Sequence, residues 1–435
     1  MTKSAKVSIF IIIIVLILAG ILWWLNTNTS FLSLGNNEQE IINNNFNNQP
    51  VNTSNTNTAE NTNTEPQAPA PDLTELIEQD LQIPAQYQTG TFATARKLNL
   101  PAGFTISLYA AGLTAPRFFD FDEENNLIVA DKGAGKIFLL KDTNQDGTAD
   151  ENIVIDSDLK TMHSVDFYKG DLFAGEEHQI IVYRDLQPDG TYSAKDVLVA
   201  DLPSDGGHST RTVLVGPDEK LYVSVGSSCN ICEEKDERRA AVMQYDLDGS
   251  NGRVFAKGLR NAVGIAFYKG DLWSVTNGRD RLGDDIPQEE VDILEKGNHY
   301  GWPYCYGKGV VDPSFPARAE FCANDTTDPV YLMQAHSAPL GVTFNAENSV
   351  FPVQLQENMF VGFHGSWNRS VPTGYKVVRI NTGDAKAEPV NFITGWLDEN
   401  GDVWGRPVGV GFDQNGVFYI SDDEAGAIYR VTYTE

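Results

Sequence analysis

A strand-forming pattern repeats through most of this chain, and few folds accommodate it. From Phe104 onward an apolar strand is followed by a polar turn with Asp or Gly, and then by a strand of the form Leu-aromatic-small-small. That second strand begins at Leu127, Leu172, Leu221, Leu272, Met359 and Val417, in the strings LIVAD, LFAG, LYVSVG, LWSV, MFVG and VFYISDD. The spacings run from 45 to 58 residues, with one gap of 87. Most units continue into an outer-strand pattern such as KIFLLKD, QIIVYRD or YKVVRIN. A period of roughly 40 to 50 residues with about four strands per unit is the signature of a propeller blade. The expected fold is therefore all-β, a six-bladed β-propeller. The early strand at residues 104–109 lacks a blade of its own. It is expected to join residues 428–433, closing the ring so that neither edge stays open. The long gap marks one insertion, residues 277–340, and long propeller insertions gather at one face and carry function.

The segments before the repeats differ in kind. Lys3 and Lys6 precede an almost unbroken apolar run over residues 7–25 that ends in Trp23 and Trp24. The run is long enough to cross a bilayer, with lysines retained inside and tryptophans at the outer interface. Residues 1–25 thus read as a membrane anchor, with a cleaved signal peptide as the alternative. Either reading exports the rest of the chain. Residues 26–71 are rich in Asn, Thr and Pro and lack the apolar surface to fold. A linker is assigned to 26–94, with a short helix expected at 72–80 (DLTELIEQD), and the propeller domain to 95–435.

Charge and cysteines narrow the partners. Against 32 Lys and Arg stand 60 Asp and Glu, a formal net charge of -28. Such a surface repels phosphate backbones, so nucleic acid is excluded as a partner. The four cysteines suit an oxidising compartment as two disulfides, 229 with 232 and 305 with 322, over a zinc or redox site. In the C-x-x-C pair Glu233 follows where haem attachment needs a histidine.

Four clusters fall at equivalent blade edges, where a propeller can bring them to one pocket. The first, DGGHSTR, sets His208 on a Gly-Gly turn with Arg211 after it. A hydrogen-bonded structural histidine is the bland alternative. In the second, KGLRNAVGIAF, Arg260 and Asn261 precede an apolar strand, and a guanidinium offers a planar fork to a carboxylate. The third joins NGRDRLGDD to GNHYGWPYC, with adjacent carboxylates Asp284 and Asp285 and exposed carbonyls of the kind Ca²⁺ takes; an acidic turn is the alternative. The fourth is WGRP, with Trp404 and Arg406. His163 (TMHSVDF) and His336 (QAHSAPLGV) occupy similar entrances and are assigned to the pocket wall, while His178 and His299 read as structural. Separately, Asp142, Asn144, Asp146 and Asp150 in DTNQDGTAD match the start of a calcium loop. Position 12 of that loop is Ile153, so a partial calcium site and a plain Asp/Gly turn both remain open.

Taken in order, GGHSTRTVLVGPD, GLRNAVGIAF, the GDD turn followed by NHYGWP, and GRPVGVGFDQNGVFYISDD resemble the soluble quinoprotein sugar dehydrogenases. That family includes glucose/sorbosone, aldose sugar and pyranose dehydrogenases, and the resemblance covers residues 98–433. It implies a six-bladed propeller whose funnel holds pyrroloquinoline quinone (PQQ) and Ca²⁺. By resemblance His208 is the general base for oxidation of a sugar at C1, with hydride passing to the quinone. Arg260, Asn261 and Arg406 are quinone ligands, and His163 stands at another quinone-contacting position. His336 and Trp404 join that cofactor-binding set. The Gly278 and Arg279 carbonyls hold Ca²⁺, supported by Asp284 and Asp285. The chain departs from the glucose-oxidising members in two places. Gly207 stands where they carry an acid directly before the base, and Trp404 with Arg406 stands where they carry Arg-x-Arg. The expected partners are a sugar, an external electron acceptor and the membrane. A calcium-dependent lactone hydrolase and a non-catalytic binding propeller are the rival readings.

Overall fold

Six four-stranded antiparallel sheets follow one another along the chain, each ordered from the inside outwards. The inner strands are Pro116–Phe121, Ser164–Tyr168, Arg211–Val215, Ala262–Tyr268, Pro339–Phe344 and Pro407–Phe412. Their second strands begin within one residue of the six positions read from the repeat: Leu127–Asp131, Asp171–Glu176, Lys220–Val225, Asp271–Thr276, Asn358–Phe363 and Phe418–Asp422. The sixth blade takes its outer strand from the start of the domain: Phe104–Ala111 pairs antiparallel with Ala427–Tyr433. This is the expected closure. The computed structural model describes residues 72–345 and 349–434, all within one compact unit, Pro69–Glu435.

The sequence pattern follows from the layering. Blades stack face to face, so their middle strands are covered on both sides and read as continuous apolar runs. All five residues of Leu127–Asp131 are buried, whereas in the outer strand Tyr192–Val199 only Val199 is. The inner strands meet around the axis in ring order. They enclose a central cavity of about 210 Å³ whose lining includes Asp120, Asp166, Thr212 and Thr343. Close approach there requires a residue without a side chain: a Cβ on Gly341 would lie 2.5 Å from the Val408 carbonyl of the next blade.

Three expectations are corrected. Within residues 72–80, Leu76–Asp80 forms a strand rather than a helix, paired with Lys97–Pro101 and tied by Lys97 to Glu78 at 2.6 Å. The stretch 72–94, assigned to the linker, is folded, and its Leu81 and Phe92 are buried in the largest apolar cluster. The single insertion at 277–340 is in fact two, because the third strand of blade 4, Glu289–Leu294, lies inside it. The first part is the loop 277–288. The second carries the hairpin Cys305–Tyr306/Val310–Val311 and the helix Ala319–Asn324. Both disulfides form as expected, Cys229 with Cys232 and Cys305 with Cys322. No helix among the described residues is long and apolar enough to cross a membrane. The anchor expected at 1–25 and the linker up to residue 71 lie outside the described residues.

Candidate active site

His208 stands on the turn before the inner strand of blade 3. The turn is fixed by a Gly207 N–H donated to the Ser228 carbonyl at 2.8 Å, and by buried Arg211, whose guanidinium donates to the carbonyls of His208 and Thr210. Gly226 lets two side chains meet: a Cβ there would collide with Asn261 Oδ1 and lie 2.6 Å from His208 Cβ. His208 Nδ1 is 2.9 Å from the Ser227 carbonyl and 3.0 Å from Ser227 Oγ. A carbonyl only accepts, and the Ser227 hydroxyl donates elsewhere, to the Cys229 carbonyl at 2.7 Å. Nδ1 therefore carries the proton, and Nε2 presents a lone pair. Burial, followed by the positive charge of Arg260, pushes this imidazole down to about 4. It is neutral at ambient pH.

Arg260 is nearly buried and fully gripped. Its Nη1 donates to the Gly278 carbonyl (2.7 Å), Nη2 to Asp280 Oδ2 and Asn230 Oδ1 (both 3.0 Å), and Nε to the Asn230 carbonyl (3.1 Å). The loop that starts at Asn277 is held from below by Glu289, whose carboxylate accepts from Gly278 N–H at 2.6 Å and Ala338 N–H at 3.2 Å. Burial raises that carboxyl to about 7 in spite of these bonds. Arg279 is anchored on buried Asp312 through two contacts of 2.9 and 2.8 Å. The result is a rigid loop whose carbonyls, with Asp280 alongside, are a hard-oxygen donor set of the kind calcium takes.

Facing these, Arg406 donates to the carbonyls of His364 (3.1 Å) and Gly365 (3.3 Å) and lies over the Tyr375 ring. His364 Nε2 donates to Asp423 at 2.8 Å, and Arg117 pairs with the other oxygen of that carboxylate at 2.5 Å. His364 and Arg117 together hold the Asp423 carboxyl down at about 2 against the upward push of burial. The loop after His364 bridges the halves: Asn368 donates to Asp280 (3.1 Å), Arg369 pairs with Asp285 (2.6 Å), and Ser370 N–H reaches Asp284 (3.2 Å).

Most residues singled out in the sequence thus converge, and some do so in other roles. His208, Arg260, Asn261, Gly278, Arg279 and Arg406 come to one end of the ring. Asp284 and Asp285 clasp the loop of Arg369 and Ser370 rather than His208. His336 donates Nε2–H to the Gly283 carbonyl at 2.6 Å, tethering the same turn. His163 is corrected: with 0% of its surface exposed it lines no pocket, and its Nδ1 accepts from Arg117 Nε at 3.3 Å. Trp404 is corrected too, because its indole N–H bonds the Gly395 carbonyl and its ring packs on Phe92 and Trp396 beneath Arg96. In the 142–150 hairpin, Asp142, Asn144 and Asp146 accept N–H groups of their own turn, and Asp150 accepts from Thr143. These bonds are compatible with both open readings. Among the described residues, the one group of three His, Cys, Asp or Glu donors close enough to share an ion is Cys229, Cys232 and Glu234, and its sulfurs are already joined. His299 is structural as expected, accepting from Gly301 N–H and packing on Phe321.

Sequence reading missed Arg117, Asn230, Asp280, His364 and Asp423. For Arg117 a signal existed: like Arg211, Arg260 and Arg406, it lies within two residues of the start of an inner strand. Asn230 and Asp423 gave none, because their partners lie tens to hundreds of residues away.

The chain has relatives among known proteins in both sequence and fold. A family described as TrAA12-like matches residues 98–434. The PQQ-dependent pyranose dehydrogenase of Coprinopsis cinerea is 26% identical over 406 residues, covering 77% of this chain and 54% of the relative, so the chain spans about half that protein's length. The PQQ-dependent sugar dehydrogenase of Hypocrea jecorina is 27% identical over 387 residues, covering 75% of this chain and 87% of the relative. In three dimensions the holo PQQ domain of the Coprinopsis cinerea pyranose dehydrogenase superposes with a TM-score of 0.67 at 26% identity, over 77% of this chain and 97% of that one. The chain belongs to the TrAA12-like family, among the PQQ-dependent soluble sugar dehydrogenases.

Proposed function

We propose that this protein is an exported dehydrogenase that oxidises a sugar at C1, dependent on PQQ and Ca²⁺. The carrying observation is His208: a partly buried, neutral imidazole whose Nδ1 is committed to Ser227, leaving Nε2 without a protein partner among the described residues, within the field of Arg260. The residues suit both cofactors chemically. Asn261 and Arg406 would bind a polyanionic quinone directly and Arg260, whose N–H groups are held by the protein, through its charge, in an acidic protein that otherwise repels it. The Gly278 and Arg279 carbonyls would hold the cation; Gly278 O shares one lone pair with Arg260 and keeps another. When bound, the quinone supplies the two-electron acceptor for hydride, and the cation polarises it as a Lewis acid.

The chain's own residues would then perform the proton chemistry. His208 Nε2 accepts the proton of the C1 hydroxyl as its C–H bond is broken. Ser227 holds the ring so that the lone pair keeps its direction, and the charge that develops on the imidazole is delocalised through Nδ1–H toward the Ser227 carbonyl. Trp367, 67% exposed on the bridging loop with Arg281 5.7 Å from its ring, offers an apolar face to a pyranose. The apolar run at 7–25 and the two disulfides support an extracytoplasmic, membrane-anchored location, with an external acceptor reoxidising the cofactor.

Incubation of apo-protein with Ca²⁺ and PQQ, followed by dye reduction across a sugar panel, tests the reading. Activity in the wild type and its loss in His208→Gln are expected. Absence of quinone binding with calcium present would overturn it. Acid release from a lactone without quinone would favour a hydrolase instead.

A further inference from the structure

The disulfide between Cys229 and Cys232 closes a ring of four residues directly after the two serines that follow Gly226. The carbonyls of its first two residues and the Asn230 side chain are engaged with the candidate site. The Cys229 carbonyl accepts the Ser227 hydroxyl at 2.7 Å. That bond removes the hydroxyl proton from the His208 side, so both Ser227 oxygens face Nδ1 as acceptors. The Asn230 carbonyl accepts from Arg260 Nε at 3.1 Å, and Asn230 Oδ1 accepts from Arg260 Nη2 at 3.0 Å. One residue thus grips the edge of the guanidinium with two parallel bonds, as a carboxylate would, but without cancelling its charge. The same side chain fixes the adjoining loop, taking the Asp280 N–H at 2.8 Å and donating to the Asp280 carbonyl at 3.1 Å. Trp302 Nε1 also reaches the Asn230 carbonyl, at 3.3 Å, tying in the second insertion.

We infer that the Cys229–Cys232 ring is a positioning element for the reaction, with Asn230 as its working side chain. Through Cys229 it sets which nitrogen of His208 is free, and through Asn230 it aims Arg260 and the loop at 277–280. A ring of this size confines its carbonyls to one arrangement, whereas an open chain of four residues at a solvent-accessible turn would sample several. Opening the ring would leave the fold of the blades intact, since neither cysteine belongs to a strand, but would release the base and the arginine together. This inference rests on the proposed role of His208 as base.

The test uses the full chain as wild type, Asn230→Ala, the double variant Cys229→Ser/Cys232→Ser, and Cys305→Ser/Cys322→Ser as a disulfide control. Two quantities are read beside the melting temperature: the titration of the His208 ring proton by NMR in the apo-protein, assigned with His208→Gln, and PQQ affinity at saturating Ca²⁺. Asn230→Ala and the 229/232 variant should move the His208 titration toward its ordinary range and weaken PQQ binding about tenfold or more, the equivalent of losing one charge-assisted hydrogen bond. The 305/322 variant should leave the His208 titration where it is. Should the 229/232 variant not fold, mild reduction of folded wild type, with the opened bond located by mass spectrometry, replaces it. An unchanged His208 titration and PQQ affinity in folded Asn230→Ala and ring-opened protein would overturn the inference, and a lower melting temperature alone would assign the disulfide to stability. If wild type binds no PQQ, the proposed function fails, and the apo-protein titration still decides whether the ring positions His208.

Discussion

Keeping His208 neutral among three arginines carries a stability cost that appears only in acid. In the unfolded chain an imidazole titrates near its ordinary 6.5, while in the fold burial, Arg260, Arg239 and Arg211 bring His208 to about 4. Above the unfolded value both states are neutral, and the residue makes no difference. As pH falls from about 6.5 toward 4 the unfolded chain gains a proton that the folded protein refuses, so stability is lost across that window and the loss levels off below the folded value. At about 1.36 kcal/mol per unit, a difference of roughly 2.5 units is worth about 3 kcal/mol when fully developed, and most of it is present by pH 4.5. His208→Gln cannot titrate, so it should be relieved of this loss. Urea unfolding of wild type and variant at pH 7.5 and pH 4.5 gives the two differences to compare. Relative to wild type, the variant should gain roughly 2 to 3 kcal/mol on going to the lower pH. A difference that does not change with pH would refute the reasoning, because it would mean that His208 takes up its proton as readily in the fold as outside it.

Other perturbations reach the rest of the site. Asp423→Ala leaves Arg117 buried without its carboxylate, and removal of one partner of a buried pair costs about 3 to 5 kcal/mol, read as a lower urea midpoint. Gly226→Ala should affect activity more than stability: the new methyl displaces Asn261 and His208 from each other, for about 1 to 3 kcal/mol of overpacking but a large fall in kcat with cofactors added. Trp367→Ala should raise the KM for sugars while leaving kcat and PQQ affinity near wild type, and an unchanged KM would remove Trp367 from substrate binding.

The blade count and both disulfide pairings were legible in the chain because each follows from local spacing, and the ring closure because one early strand was left without a blade. A strand covered on both faces must read as LIVAD or LFAG wherever it occurs, and turns recur at the interval a four-stranded sheet requires. The helix expected at 72–80 failed for the converse reason. ELIEQ suits a helix locally, but pairing with residues 97–101 and burial of Leu81 and Phe92 against the last blades outweigh that preference. His163 and Trp404 show the same limit at the site: each stands at a blade entrance by register, and whether such a side chain turns into the pocket or into the packing depends on neighbours from other blades.

What the sequence determined by itself is a six-bladed ring with polar clusters at the blade entrances, since periodicity is a property of consecutive residues. The tertiary structure decided the partnerships: Asn230 with Arg260 across 30 residues, Arg260 with Asp280 across 20, and Arg117 with Asp423 across 306. The last of these exists only because the strand Phe104–Ala111 closes the ring and brings the first blade beside the sixth. That closure in space sets which charges face one another across the seam between the first and sixth blades, whereas the free lone pair of His208 is set within its own blade by Ser227.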